Sequence, residues 1–438
     1  MDKPCKIKNQ ESRIENRWRL GALFFSYALL IFLRCPKIIL EGRFWAEEGK
    51  YYFLKAASMN FWEALLSPQM GYYSLVPNVA TLFAARNVSL AFAPHVTVAF
   101  AFLIQLLPAV FILFGKIDFL KSFSAKIWAL ALVLFTLPNQ QIWLNTISSH
   151  FYLCLCAGLI LISEPETKIR EFFKNFILLI AGLTGVVSTF LTPFFWCKAI
   201  VEKSRTRFVQ AGVLTLCALA QGAVIFSHLG SSRSLGFYGD VWISAFFAKT
   251  ILLPLTGISV TGQFCNQLRS NLQNGIFPWI LLFVLLFYWG IVAYFIGKSK
   301  ISSARYLFQM AFFVLALSLL GAYESGTKDG MLIHISAIFC GRYYYAPNVF
   351  LALSLLALAF SSAFHVYLKY ALNILLFWMM VVGVWNFFWT KSNYFSSGAK
   401  WGEEIQIWKK NPTHPLQFWP ADPWWSISLS AREKCWTK

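Results

Sequence analysis

Charge is what this 438-residue sequence has least of. Asp, Glu, Lys and Arg make up 13% of it, about half the share of a soluble globular chain. That excludes an ordinary water-soluble enzyme. With 58% hydrophobic residues, it excludes a disordered chain and a coiled coil as well. Acids are scarcer still, 19 against 38 Lys+Arg. The 9 cysteines include no CxxC pair, and no metal site is indicated. Cys154 and Cys156 lie inside an apolar run, where thiols pack as small hydrophobes. Nothing in the spacing of Cys340 and Cys435 supports a bridge between them. No internal repeat is visible, which counts against a transporter built from inverted halves. No small-residue cleavage site follows the first apolar run, so that run is not read as a cleaved signal peptide. Strands of alternating hydrophobicity are missing too, which excludes an outer-membrane barrel.

What is present is a series of apolar runs near membrane-spanning length. They predict an all-α polytopic membrane protein with about 11 transmembrane helices plus interfacial or re-entrant ones. Crossings are expected at 19–40, 93–114, 127–144, 151–163, 208–228, 276–297, 306–323, 343–361 and 370–388, with a helical hairpin over 176–200. The patch 241–260, with Lys249 and Pro254, reads as re-entrant. The loop 41–91 holds two juxtamembrane stretches, 45–66 and 75–86. Residues 1–388 then form one transmembrane module, and 389–438 a small outward-facing segment. The net charge of +19 is read as topology and not as a nucleic-acid surface. Lys3, Lys6, Lys8, Arg13, Arg17 and Arg19 precede the first run and place the N-terminus in the cytoplasm. An odd number of crossings then leaves the C-terminus outside.

The acids are distributed unevenly. Asp2, Glu11, Glu15, Asp118, Glu164, Glu166, Glu171 and Glu202 fall in expected cytoplasmic stretches, and the rest in outward regions or at their edges. None falls in mid-span, where an ion-coupled transporter usually keeps an ionisable group. The sharpest cluster is Phe44-Trp45-Ala46-Glu47-Glu48-Gly49-Lys50-Tyr51-Tyr52-Phe53. Adjacent helical residues point about 100° apart, so one acid can face a cavity while its neighbour contacts the protein. A carboxylate at an apolar boundary has a raised pKa, which suits a general base. The plain alternative is a solvated first helical turn favoured by the macrodipole.

Glu47-Glu48-x-x-Tyr51 after the first span resembles the DExxY-type motif of GT-C glycosyltransferases. The stretch 44–77 (FWAEEGKYYF…SPQMGYYSLVP) resembles a bacterial branch of that superfamily with an FWxEDG-like first outward loop. NTISSHF (145–151), GRYYYAP (341–347) and WPADPWWSISL (419–429) resemble its later motifs, in the same order along most of the chain. The resemblance implies a GT-C-like fold and a bacterial inner-membrane enzyme of cell-envelope polysaccharide biosynthesis. Such an enzyme moves a sugar from a polyprenyl-phosphate donor to an outward-facing lipid-linked glycan or lipid acceptor. It further implies that Glu47 or Glu48 is the base. Both are Glu here, where Asp is usual at one position, so the pattern leaves open which of them acts.

Arg342, followed by Tyr343, Tyr344 and Tyr345, is the candidate for the donor phosphate, because an arginine fork binds phosphate and stabilises its charge as it leaves. Arg233, Lys249 and Lys55 are lesser candidates. His150 and Asn145 by the resemblance, and Tyr51, Tyr72, Tyr73 and Tyr344 as aromatic faces, complete the expected substrate-binding set. The loop 138–151 contains no acid, which weakens a divalent-metal reading without excluding it, since hard cations want several carboxylates. No cofactor is expected. The alternatives are a flippase or transporter of a lipid-linked substrate, a glycan polymerase, and a GT-C scaffold that only binds lipid.

Overall fold

A computed structural model describes residues 3–69, 71–227, 238–321, 328–361, 364–390, 393–396 and 398–429. Arg233 and Cys435 lie outside the described residues. The chain is a helical membrane protein, and the helices fall into a buried centre and a periphery.

Helix α1 (Lys3–Arg34) stops where Pro36 removes a backbone donor, and that proline opens α2 (Pro36–Glu41) from its first turn. A segment of short helices follows: a π-helical turn (Glu48–Phe53), α3 (Leu54–Ser58), α4 (Phe61–Leu66) and α5 (Leu75–Asn87). The expected 45–66 stretch is divided, because Met59 leaves helical geometry and Asn60 caps α4 by accepting from Glu63 N–H. Then come α6 (Ala93–Phe114), α7 (Phe123–Phe135) and α8 (Ser149–Ile162). The crossing expected over 127–144 is shorter than that: α7 ends at Phe135, ahead of Pro138, and 136–145 is irregular.

Helices α9 (Lys168–Leu183), α10 (Thr192–Glu202) and α11 (Arg205–Ser227) follow. The chain turns after α9 at Gly185, whose φ of +78° a side chain would resist. Next are α12 (Gly239–Phe247), a π-helical turn (Ala248–Leu252) and α13 (Leu253–Gln273). The patch expected to end at 260 therefore continues to Gln273. Pro254 is tolerated in the first turn of α13, and Gly257 kinks the run at φ 77°, ψ −179°. Asn386 Oδ1 accepts from the freed Ile258 N–H at 3.0 Å. The remaining helices are α14 (Trp279–Lys298), α15 (Ser302–Gly321), α16 (Lys328–Met331), α17 (Arg342–Ala359), α18 (Val366–Phe388), α19 (Asn393–Ser396) and α20 (Trp401–Lys410). Leu416–Gln417 and Ser426–Ile427 pair as a small antiparallel hairpin.

Every residue of α8, and every residue of α17 from Tyr344 onward, is buried. A helix that is apolar all round belongs in a core, and these two pack on each other with α7 and α15 around them. By contrast, α14 carries Ile280 and Phe283 at 79% and 72% exposure, and α11 and α18 expose Leu216, Phe226, Trp378 and Trp385. Apolar surface on that scale suits lipid and not water. Among the described residues, six helices are long and apolar enough to cross a membrane, against about 11 expected crossings. Helices α7 and α8 are apolar but have 13 and 14 residues, roughly 20 Å at 1.5 Å per residue, short of a ~30 Å hydrocarbon core.

Candidate functional site

The site is built on the turn between α2 and the first π-helical turn. Gly42, at φ +67°, lets the backbone pass against His95. Phe44 then enters the core against Phe53 and Trp401, with ring centroids 4.6 and 5.2 Å away. Ala46 adopts φ +44°, a left-handed conformation that costs a non-glycine residue about 1 kcal/mol. The reversal sends the two following carboxylates different ways.

Glu48 goes inward and is fully buried. Its Oε2 accepts from Trp45 N–H at 3.0 Å. Its Oε1 accepts from Thr146 N–H at 2.9 Å and from the Thr146 hydroxyl. Burial pushes its carboxyl above the ordinary range, while these hydrogen bonds and the Arg43 charge pull it back. Arg43 is itself buried. It donates to the carbonyls of Tyr394 and Trp143, both at 2.6 Å, and its guanidinium lies 4.8 Å from the Trp45 ring centroid. Burial lowers its pKa to about 10. Glu48 is thus a tie between the 42–53 segment and the 136–148 loop.

Glu47 is half-buried. Among the described residues its carboxylate accepts no hydrogen bond and joins no ion pair. Its charge is coupled to that of Arg342, which also feels Tyr343 most strongly and Tyr72. Arg342 donates to the Tyr343 hydroxyl at 3.2 Å and lies 5.1 Å from that ring's centroid. Its backbone N–H is held by Gln141 Oε1 at 3.3 Å. Arg342 in turn acts on His150. The His150 ring meets Tyr72 edge-on at 6.3 Å, and Gly185 leaves room for it, since a Cβ there would sit 3.2 Å from the imidazole.

Glu47, Arg342, Tyr72 and His150, from four separate stretches, therefore share one neighbourhood. Other expected site residues serve as framework. Asn145 Oδ1 caps Ser148 N–H at 2.9 Å, and its amide donates to the Gln141 carbonyl at 2.9 Å. The Tyr73 hydroxyl donates to the Leu65 carbonyl at 3.1 Å, and the Tyr73 backbone pairs with Gln221. Tyr51 packs, half-buried, beside Trp45 and Trp419. Tyr344 turns away from Glu47. It is buried under the Lys249 ammonium, 4.9 Å from its ring, and lines a small cavity with His334 and Trp242. Lys55 donates to Ser67 Oγ at 3.0 Å.

Arg43 escaped the sequence reading, and Thr146 and Gln141 were given no role within stretches that it picked out. Arg43 adjoins the Phe44–Phe53 cluster and Thr146 lies inside NTISSHF, and a charged residue beside the one and a hydroxyl within the other are the signals that were there to be read. Gln141 closes the polar run Asn139-Gln140-Gln141 that opens the 138–151 loop. Among the described residues, no three His, Cys, Asp or Glu side chains group as a metal site. Comparison of the chain with family models, with curated proteins and with solved structures finds no match.

Proposed function

We propose that this protein is a membrane glycosyltransferase of the GT-C kind. It takes a sugar from a polyprenyl-phosphate donor and passes it to a lipid-linked glycan or other envelope acceptor. The observation that supports this best is the shared neighbourhood of Glu47 and Arg342: a carboxylate that joins no ion pair among the described residues acts on a guanidinium that also feels Tyr72 and in turn acts on His150. A base and a phosphate clamp are the two groups this reaction asks for.

Glu47, the acid left without a partner, takes the proton from the acceptor hydroxyl. The acceptor oxygen attacks the anomeric carbon, and the bond from that carbon to the phosphate oxygen breaks with inversion. The electron pair leaves with the polyprenyl phosphate, whose charge Arg342 stabilises. In this reading the membrane is the bacterial cytoplasmic membrane. About 11 crossings place the N-terminus inside and the C-terminus outside, and the site opens on the extracytoplasmic face.

The test is turnover of purified protein in nanodiscs with a panel of polyprenyl-phosphate sugars and a lipid-linked acceptor, with and without a chelator. Glu47→Gln is expected to lower kcat by about 10²–10⁴-fold while donor binding persists. Wild-type-like turnover in that variant, or a lipid-linked substrate moved across the bilayer with no transfer, overturns the proposal.

A further inference from the structure

The conformation that turns Glu47 out and Glu48 in is held from the other end of the chain. Ala46 N–H donates to the Trp419 carbonyl at 2.6 Å, and Trp419 N–H donates to the Phe44 carbonyl at 3.2 Å, so Trp419 bridges both sides of Trp45. Beyond Glu47, the Lys50 ammonium donates to the Trp424 carbonyl at 2.9 Å and lies 3.3 Å from the centroid of that ring. Gly49 faces Phe418 so closely that a Cβ would come within 2.9 Å of the ring. Bonds from this segment thus bracket Glu47 without touching its carboxylate.

The bracket is itself anchored. The Trp419 indole donates to the Ala399 carbonyl at 3.1 Å and packs against Gly398. Gln417 N–H donates to Glu404 Oε2 at 2.9 Å, and Trp401 Nε1–H to the Leu90 carbonyl at 2.8 Å. These bonds seat α20 and the hairpin on the same core cluster as Phe44.

We propose that Trp419 is a positioning residue. It holds Ala46 in its left-handed conformation, and with Lys50–Trp424 it makes residues 398–429 part of the site instead of an appended domain. The kinetic side of this rests on the reading of Glu47 as base, and the conformational side does not. A left-handed alanine needs an external hold, while a glycine adopts that backbone freely. Ala46→Gly is therefore expected to suppress the loss of the hold, which a general packing defect would not allow.

The experiment uses the full chain. Trp419→Ala is expected to lower kcat on the order of 10²-fold with donor KM unchanged. Trp419→Phe is expected to retain most activity, and Ala46→Gly combined with Trp419→Ala to regain at least tenfold. In parallel, Glu47→Cys is labelled with a membrane-impermeant thiol reagent and read at that peptide by mass. Trp419→Ala should change the labelling rate several-fold, and adding Ala46→Gly should restore it. If Trp419→Ala fails to fold, Lys50→Met, which loosens the same bracket from an accessible side, replaces it in both arms. An unchanged labelling rate, or a kcat loss that Ala46→Gly does not relieve, overturns the positioning role. If the wild type transfers no sugar at all, the transferase reading fails and the labelling arm still decides the conformational claim.

Discussion

The two ends of α8 bind charge in opposite ways. Beside its last residues, Lys174 joins Glu171 at 2.9 Å and Glu166 at 3.2 Å, and Arg207 joins Glu202 at 3.0 Å. Gln210 links the two groups by donating to Glu171 Oε2 at 3.0 Å. Lys198 adds Glu202 at 3.4 Å and the Leu161 carbonyl at 2.6 Å. Acids and bases here are matched, and the network ties α8, α9, α10 and α11 together. Beside its first residues, Glu47, Arg342, Lys249, Arg34 and Arg43 join no ion pair among the described residues. Lys249 is buried with a backbone carbonyl for company, and Arg34 Nε and Nη1 find no acceptor. Charges are paired elsewhere too, as in Lys328–Asp240 at 2.6 Å, so these five groups stand out against a protein that otherwise pairs its charges. Buried groups left incompletely satisfied belong where a fold is shaped for something other than its own stability.

The largest effects should separate the two ends by kind. At the site, Arg342→Gln should cost two or more orders of magnitude in turnover, with little change in melting temperature. Arg342→Lys should recover part of that loss, since it keeps the charge but not the fork. At the network, Lys174→Met takes from Glu171 its ion-pair partner and leaves Glu166 with Arg170 alone, and the loss of a buried partner costs about 3–5 kcal/mol. Thermal unfolding in detergent should show that cost as a clear drop in midpoint. If Lys174→Met melts like the wild type while Arg342→Gln does not fold, the contrast between the ends is wrong.

A middling effect should come from the framework that carries the site. At Gly257 a Cβ would sit 2.5 Å from the Asn386 amide, on a backbone with φ +77°. Gly257→Ala combines that clash with left-handed strain and should destabilise by about 1–3 kcal/mol. The kink also positions Lys249 and, through Asn348, the start of α17: Asn348 donates to the carbonyls of Lys249 and Leu137 at 2.8 and 2.9 Å. Circular dichroism melts check the stability, and a melt unchanged by the substitution would remove the kink from the argument.

Much of this was readable from the chain. The apolar runs mark the helices, and Pro36, Asn60 and Pro138 mark where helices end or begin. The residues that meet at the site lie in motifs a reader would pick out from FWAEEG, the NTISSHF loop and the GRYYYAP stretch. What was not readable depends on single dihedral angles and distant partners. Which of Glu47 and Glu48 turns inward follows from φ at Ala46 and from a Thr146 hydroxyl far along the chain. The direction of Tyr344 follows from its place one step past Tyr343 on α17, where successive residues leave the helix about 100° apart. The backbone bridge from Trp419 has no side-chain code at all, since an N–H and a C=O are the same in every residue but proline. Sequence periodicity sees faces, and this site is decided by turns.

The finest test of the comparison is the sign of a pH effect. Glu166 and Glu48 start from the same ordinary value near 4.5 and are shifted in opposite directions. Burial is the largest single influence on Glu166 and pushes it up, but Arg170 and Lys174 together outweigh it and hold the carboxyl low. A lowered folded value means that the stabilisation from Glu166 is fully present above about pH 4.5 and is lost as pH falls through the folded value. Glu48 is raised, with burial the dominant cause, so its contribution is present below about pH 4.5 and is lost as pH rises through its folded value. Melting curves of Glu166→Gln and Glu48→Gln against the wild type, taken from well below pH 4.5 up to neutral pH, should therefore diverge. The gap between wild type and Glu166→Gln should close on acidification. The gap between wild type and Glu48→Gln should close as pH rises. Parallel curves for the two variants would mean that both carboxylates sit in equivalent surroundings, and the division of the molecule into a matched end and an unmatched end would fall with them.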